Sequence, residues 1–540
     1  MTARIPAPLL LDVYKNSHRR QYSPHTEVVY STWTPRKSRI DGVDKVVTFG
    51  IQAFVLDYLV ENFNETFFNR PKDEVISKIK DVMENYCIDS DTAHWEALHD
   101  LGYLPLELRA LPEGTLCPIR CPMLTIENTK PEFYWLTNFI ETIFSTEVWK
   151  PMTSATIALE YRKILDSYAG KTCDDNSHVD YQGHDFAFRG MAGVDGGLSS
   201  GAGHLTSFIG SDTLPAAIWI EKYYQTKNNK GSVATSIPAT EHSVAETNII
   251  ELEEQFKDCE DPRLEAEKAY LGRLLNDVYT SGFFSYVSDT YNLWDVCTKV
   301  LPAHRDKILS RNGRLVVRPD SGDPVDILCG YNTKTFFDDY RGIFKPVRLR
   351  NEDDTPYYNE INKGVIELLW DTFGGTINSK GYKVLDSHIG CIYGDAITIE
   401  RAKEICERLE KKGFASSNVV LGIGSYTYNM NTRDTFGFAL KTTYGVVNGK
   451  ELLLYKDPIT DDGTKKSQKG RVIVTRDESG ELKYTDNLYR EEWEKRVSNG
   501  EDEMRVIFKD GDVFNLQSFI EIRDLLKSEA KGNKRQLIEV

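Results

Sequence analysis

LVVRPDSGDP, residues 315–324, joins three branched apolar residues to a charged turn rich in proline and glycine. Leu315, Val316 and Val317 have the composition of a short buried strand, and the run from Arg318 to Pro324 stops it abruptly. Arg318 offers a planar fork of donors that matches phosphate oxygens, while Asp320 and Asp323 supply the hard oxygens that Mg²⁺ prefers. Both signs of charge at one strand end suit a metal-bound phosphate ester. A turn stapled by an internal Arg–Asp pair is the alternative use of the same residues.

The same rhythm of strand, polar turn and helix recurs on both sides. HLTSFIG (204–210) runs into Ser211-Asp212-Thr213 and a helical LPAAIWIEKYYQ, and FFSYV (283–287) runs into Ser288-Asp289-Thr290. IGCIY (389–393) runs into Gly394-Asp395 and a helix of 3.6 period, and NVVLGIG (418–424) into Ser425. Such repetition predicts an α/β fold, an irregular (β/α) barrel, in which the carboxyl ends of the strands carry the chemistry. A doubly wound sheet is the other arrangement that fits. For each terminal Asp taken alone, a helix N-cap, worth about 1 kcal/mol, is the structural alternative. Gly422 and Gly424 beside Ser425 let backbone N–H groups approach a phosphate.

Residues 45–59 pass from β-branched to helical, 104–128 alternate as strands, and 131–149 and 155–168 read as two helices, the second closed by Gly170. Beyond Arg433 short strands return and a helix ends the chain. These segments predict a second, discontinuous, β-rich α+β domain made of residues 1–178 and 431–540, around a catalytic barrel of 179–430. Residues 225–231 and 331–363 read as loop insertions. The lysines of the last segment, Lys441, Lys456 and Lys465 among them, are suited to phosphates over the barrel mouth.

The chain has 540 residues, a formal net charge of -16 and 40% hydrophobic residues, the balance of a globular protein. So acidic a chain lacks the basic face a nucleic acid demands, and no apolar run approaches the roughly 20 residues of a membrane span. The N-terminus carries no secretory apolar core, and the nine scattered cysteines suit reduced thiols, so a cytoplasmic location is expected. In HDFAFRG (184–190), Phe186, Phe188 and Arg189 set aromatic faces beside a guanidinium, suited to a flat heteroaromatic amide or simply to core packing. In IPATEHS (237–243), His242 precedes a helical run; a lone histidine is more often a structural hydrogen-bonder than a catalyst.

Taken in order, LLLDVYKNSHRRQY, LPEGTLCPIRCPMLTIENT, PEFYWLTNFIET, HDFAFRG, GSDT, PATEHS, SDTYNLWDVC, VVRPDSGDP, YGDAI, NTRDTFGFALKTTYGVVNG and YKDP resemble the nicotinamide phosphoribosyltransferases. The resemblance implies a type II phosphoribosyltransferase fold, a homodimer with sites at its interface, and conversion of nicotinamide and phosphoribosyl pyrophosphate into nicotinamide mononucleotide and pyrophosphate. It also implies Mg²⁺ carried by the diphosphate, with Asp320 a candidate ligand, and ATP as a co-substrate acting through a phosphohistidine at His242. On this sequence it implies that Phe186 and the partner subunit's Tyr14, with Asp12 beside it, sandwich the pyridine, and that Arg189 and Asp212 grip the carboxamide. It assigns Arg318, Asp320 and Ser288 to the ribose and diphosphate. Gly394, Asp395, Gly422, Gly424, Ser425 and Arg433 fall to the ribose and 5-phosphate, and Lys441, Lys456 and Lys465 to phosphates across the interface.

An ionised Asp212 about 4 Å from a nicotinate carboxylate costs on the order of 4 kcal/mol at an effective dielectric of 20, which favours amide over acid. The pyridine nitrogen is already nucleophilic, so the residues need only stabilise a ribosyl cation-like centre and a leaving diphosphate. Where the resemblance predicts an aspartate, this chain has Asn292. A phosphoribosyltransferase for nicotinate or another base and a non-catalytic ligand-binding relative are the alternatives, with an unrelated Mg²⁺-dependent phosphoesterase barrel more distant.

Overall fold

The computed structural model describes residues 4–86, 91–224, 233–331, 358–394, 397–461 and 463–532. Its centre is a six-stranded sheet in the order Gly210–Ser211, Gly183–Asp185, Val419–Ile423, Ile389–Tyr393, Leu315–Arg318, Phe284–Val287. All neighbouring pairs are parallel, which helices on the outer face permit. Leu315, Val317, Phe284, Tyr286, Leu421 and Ile423 are fully buried; all of Phe284–Val287 lies inside, whereas Leu315–Arg318 alternates buried and half-buried positions. The two edges are stitched by one extended segment. Thr235 bridges Gly210 and Ala239 bridges Ser285, both in parallel sense, with Thr235 N donating to Ile209 O at 2.8 Å and Thr240 N to Ser285 O at 2.9 Å. The sheet therefore curls round into an irregular barrel, as the strand-turn-helix repeat predicts.

A second, seven-stranded antiparallel sheet runs Lys450–Leu453, Ala439–Val447, Thr26–Thr34, Leu124–Asn128, Leu106–Ala110, Arg505–Lys509, Asp512–Val513. It interleaves strands from both ends of the chain: Thr26–Thr34 pairs with Ala439–Val447 on one side and Leu124–Asn128 on the other. The helix Glu141–Thr172 is the spine that joins the two sheets. Phe144, Val148 and Met152 belong to the core under the antiparallel sheet, whereas Ile157, Tyr161 and Leu165 belong to the barrel core. Gly203 on the helix Gly193–Leu205 lets the two helices touch, because a Cβ there would stand 2.7 Å from Ala155 N.

Several local expectations are corrected. HLTSFIG is not one strand: His204 and Leu205 end a helix, and only Gly210–Ser211 pairs. The strand Gly183–Asp185 overlaps the start of HDFAFRG and was not expected, since three residues carry no period. The helix pair predicted over 131–168 is a 3₁₀ turn, a short helix and one 32-residue helix that runs through Pro151 and past Gly170 to Thr172. Burial of this helix against both cores outweighs the hydrogen bond lost at proline. The insertion predicted over 331–363 overlaps the helix Tyr358–Phe373 at its end, and its middle, like the whole of 225–231, lies outside the described residues. No helix among the described residues is long and apolar enough to cross a membrane.

Candidate active site

The carboxyl ends of the parallel strands gather along one rim of the sheet, and its members can be followed contact by contact. Phe186 leaves the Gly183–Asp185 strand with its N–H on Ile423 O at 3.0 Å, and its ring lies 4.5 Å from that of His184. It packs on Gly422, where an added Cβ would stand 2.8 Å from Phe186 Cδ2 and 2.5 Å from Tyr393 O. Next along the rim, a Cβ on Gly394 would stand 2.5 Å from Asp320 Oδ1 and 3.5 Å from Arg318 Cδ. These strand-end glycines have ordinary φ values; they are small because neighbouring groups occupy the space a side chain would need.

Asp212 follows the Gly210–Ser211 strand, and its N–H is bound to Asp185 O at 3.0 Å. Its Oδ1 accepts from His184 Nε2 at 2.9 Å and from the Ser236 hydroxyl. Partial burial would raise this carboxyl, but the hydrogen bonds from His184 and Ser236, with the charges of His184 and Arg318, draw it below the ordinary carboxylate range. Asp212 is thus held as an anion with Oδ2 free of those two donors. Neither His184 nor Ser236 was singled out in the sequence. Ser236 sits on the segment that closes the barrel, whose register no local pattern reveals.

Arg318 does not staple its own turn. Its Nη2 donates to Thr240 O at 2.7 Å, and its buried Nε has no hydrogen-bond partner among the described residues. An unpaired buried guanidinium nitrogen is costly unless an anion completes it. Asp323, by contrast, caps the helix Pro324–Cys329 through Val325 N at 2.9 Å and pairs with Arg401 at 3.2 Å, so it serves the scaffold. Ser288 is fully buried, and its hydroxyl donates to Tyr286 O at 2.8 Å.

The neighbour of Ser288 is the residue that the sequence left unassigned. Asp289, almost completely buried, accepts from His242 Nε2 at 3.1 Å through Oδ1 and from Asp320 N at 2.9 Å through Oδ2. A carboxylate can only accept, so His242 Nε2 carries a proton and Nδ1 is the ring nitrogen turned away from Asp289. His242 is half-exposed at the first position of the helix His242–Glu253. The recurrence of Asp at strand ends was the signal that contained Asp289. Asn292, four residues after Ser288, caps the helix Leu293–Asp295 by accepting from Trp294 N at 3.1 Å.

Ser425 lies beside Gly190, where a Cβ would stand 2.2 Å from its hydroxyl oxygen; this brings the Gly424–Ser425 turn next to the exposed Arg189. Arg433 is exposed near Arg36 and pairs with Asp434 at 3.6 Å. Asp395 lies outside the described residues.

The remaining predicted residues gather elsewhere. Tyr14 and Lys441 line a separate cavity of about 370 Å³ with Lys15, Tyr22, Asn138 and Glu141, and none of the barrel-end residues lines it. Glu141 is its anionic centre, 2.7 Å from Lys15 and 3.8 Å from Lys441. Burial lowers the Lys441 ammonium, and Arg36, Lys456 and Lys15 add to that effect against the pull of Glu141. Tyr14 is 60% exposed, so its ring is available to another molecule. Asp12 accepts from Thr142 Oγ1 at 2.6 Å and anchors the turn before Tyr14. Lys465 is exposed and takes Asp461 Oδ2 through its backbone N–H at 2.6 Å.

A cavity of about 490 Å³ also opens at the amino ends of the strands, beside Arg314, Ile389 and Asn418. It holds none of the residues just traced, and the converging strand ends, not cavity size, identify the site. Among the described residues no three His, Cys, Asp or Glu side chains are grouped to hold a metal alone. Asp320 fits the other mode of Mg²⁺ binding, in which one or two carboxylates act together with substrate phosphates, whereas both oxygens of buried Asp289 are engaged by His242 and Asp320 N.

The profile of the nicotinate phosphoribosyltransferase (NAPRTase) family matches residues 181–512. A protein of Acinetobacter baylyi named nicotinamide phosphoribosyltransferase is 44% identical, covering 99% of both chains. A Mycoplasma pneumoniae protein of the same name is 31% identical over 86% of this chain and 94% of its own. In fold, the chain is similar to the nicotinate-nucleotide pyrophosphorylase of Pyrococcus furiosus, with a TM-score of 0.53, 15% identity and coverage of 99% of this chain and 98% of that one. Human nicotinic acid phosphoribosyltransferase gives a TM-score of 0.51 at 16% identity, covering 97% of this chain and 94% of that one. With a profile spanning more than half of its length and a relative matched from end to end, this chain belongs to the nicotinate phosphoribosyltransferase (NAPRTase) family.

Proposed function

We propose that the protein is a nicotinamide phosphoribosyltransferase of pyridine nucleotide salvage, joining nicotinamide to 5-phosphoribosyl 1-pyrophosphate with release of pyrophosphate. The observation that carries this reading is Asp212, kept anionic by His184 and Ser236 on one oxygen, at the same rim as Phe186 and Arg318. An anion there accepts from the carboxamide N–H and repels the carboxylate of nicotinate.

In this reading Phe186 supports one face of the pyridine and Arg189 takes the carboxamide oxygen. The ring nitrogen attacks C1 of the ribose as the C–O bond to pyrophosphate breaks, so the leaving group departs with the bonding pair. The fork of Arg318 meets the growing negative charge on the diphosphate, while Asp320 faces the positive charge on the sugar. Mg²⁺, when bound through the diphosphate and Asp320, shields the leaving group's charge. Gly394, Gly422, Gly424 and Ser425 receive the ribose and 5-phosphate. His242, its Nε2 oriented by Asp289 at 3.1 Å, presents Nδ1 to the γ-phosphate of ATP; an N–P bond forms as the bond from the γ-phosphorus to the bridging oxygen breaks, ADP leaves with that electron pair, and a phosphohistidine remains.

The working form is a homodimer in the cytoplasm. Tyr14 and Lys441 share one cavity apart from the barrel rim, which supports their delivery, with Lys456, to a second copy's Phe186 and phosphates. The purified protein, incubated with nicotinamide, phosphoribosyl pyrophosphate and Mg²⁺, with and without ATP, tests the reading. Nicotinamide mononucleotide and pyrophosphate should appear in equal amounts and faster with ATP. Their absence would overturn it.

A further inference from the structure

The helix Glu141–Thr172 does more than join the two cores, because two of its buried polar side chains reach the loops at the barrel rim. Tyr161, fully buried, donates its hydroxyl to Ile397 O at 2.8 Å and meets Thr427 Oγ1 at 3.1 Å. Ile397 O also accepts from Thr427 Oγ1 at 3.3 Å, so the three groups form one knot. Ile397 lies just beyond the Ile389–Tyr393 strand, and Thr427 just beyond Val419–Ile423. Eleven residues earlier on the helix, three turns away, Lys150 sends its ammonium to Tyr428 O, the very next residue of the second loop.

These two side chains are costly choices for a helix packed in a core. Lys150 is 8% exposed and, among the described residues, no carboxylate acts on its charge; burial pushes its pKa down to about 8. An apolar residue would pack there at less cost, so the ammonium is explained by its acceptor. Tyr428 continues the chain of buried polar contacts. Its hydroxyl donates to His204 Nδ1 at 2.8 Å, while His204 Nε2 donates to Gly210 O at 2.9 Å, next to the strand end that carries Asp212. Both donors are therefore fixed, and His204 is neutral, its pKa lowered to about 4 by burial.

We propose that Tyr161 and Lys150 are positioning residues that hold Ile397, beyond the Ile389–Tyr393 strand, and the short helix Ser425–Asn429, beyond Val419–Ile423, in register with each other, and that this register sets the affinity for the sugar-phosphate part of the substrate. The inference rests on the reading that Gly394, Gly424 and Ser425, at those two strand ends, receive the ribose and 5-phosphate. Neither residue touches substrate; Tyr428 also reaches the base side through His204 and Gly210, so the loss falls mainly, not solely, on the sugar phosphate.

Tyr161→Phe removes one hydroxyl from a ring that otherwise keeps its packing, and Lys150→Met removes the ammonium at similar length. In each variant the KM for phosphoribosyl pyrophosphate should rise about fivefold or more, the loss expected from one buried hydrogen bond, with the KM for nicotinamide within twofold of the parent. Ribose 5-phosphate binding, titrated calorimetrically on the same proteins, should weaken by the same factor. That titration needs no turnover, so it decides the proposal even if the base used is not nicotinamide. Unchanged ribose 5-phosphate affinity in Tyr161→Phe and in Lys150→Met, or equal loss for both substrates, would overturn it.

Discussion

Gly394 and Asp320 meet so closely at the barrel rim that a Cβ on the glycine would stand 2.5 Å from Asp320 Oδ1. Gly394→Ala must therefore push the Asp320 carboxylate from its place at the rim. In the proposed reaction we expect kcat/KM for phosphoribosyl pyrophosphate to fall by at least about tenfold, with nicotinamide affinity retained. Steady-state kinetics varying each substrate in turn checks this, and an unaltered kcat/KM would mean that Asp320 is not needed where it stands.

The anion at Asp212 carries the choice of base. Asp212→Asn keeps the shape and an amide oxygen but removes the charge, so the penalty against nicotinate should shrink by about tenfold or more. Comparing kcat/KM for nicotinamide and nicotinate in both proteins gives the number. Equal ratios in parent and variant would relocate selectivity elsewhere.

His242 and Asp289 are predicted to work as a pair. His242→Ala should abolish acid-labile phosphate on the protein after incubation with radiolabelled ATP, together with any gain in rate from ATP. Asp289→Asn should lower both by about tenfold or more, since it disturbs the orientation of the imidazole. Undiminished labelling of His242→Ala would place the phosphoryl group on another residue.

If a second copy completes each site, Tyr14→Ala and Phe186→Ala are both nearly inactive alone, yet a mixture regains activity. Random re-association makes half of the dimers hybrid, each with one intact site, so recovery of about one quarter of the parent activity is expected. No recovery after mixing, with hybrids verified by mass, would assign both residues to sites within one chain.

A prediction independent of function concerns Glu267, buried against Tyr286, whose hydroxyl donates to Oε1 at 3.1 Å. Burial raises this carboxyl from 4.5 to about 7. The folded state then holds a proton that the unfolded chain releases, and stability falls as pH rises through that window. Glu267→Gln should be about neutral at pH 4 and stabilising by roughly 3 kcal/mol at pH 8. Denaturant titrations at the two pH values test the sign and the size.

How much of this could be read from residues alone follows from range. Leu315–Arg318, Ile389–Tyr393 and Val419–Ile423 were legible because an apolar run stops at a charged or glycine turn, a local event. The strand Gly183–Asp185 was not, since three residues have no period, and neither was the closing segment around Thr235 and Ala239, which is defined only by its bridges to two distant strands. His184 and Ser236 were missed for the same reason: their common target, Asp212, is 28 and 24 residues away in sequence. Pro151 and Gly170 carried the opposite error, as local helix-breaking tendencies yielded to burial on both faces of the long helix.

The most direct test of the central claim is a competition in one vessel. Nicotinamide and nicotinate, at equal concentrations with limiting phosphoribosyl pyrophosphate and Mg²⁺, are offered to the protein at pH 7.5, and the two mononucleotides are quantified by mass spectrometry. An anionic Asp212 at the base site predicts nicotinamide mononucleotide in at least about hundredfold excess. Nicotinate mononucleotide in equal or greater amount would contradict the account.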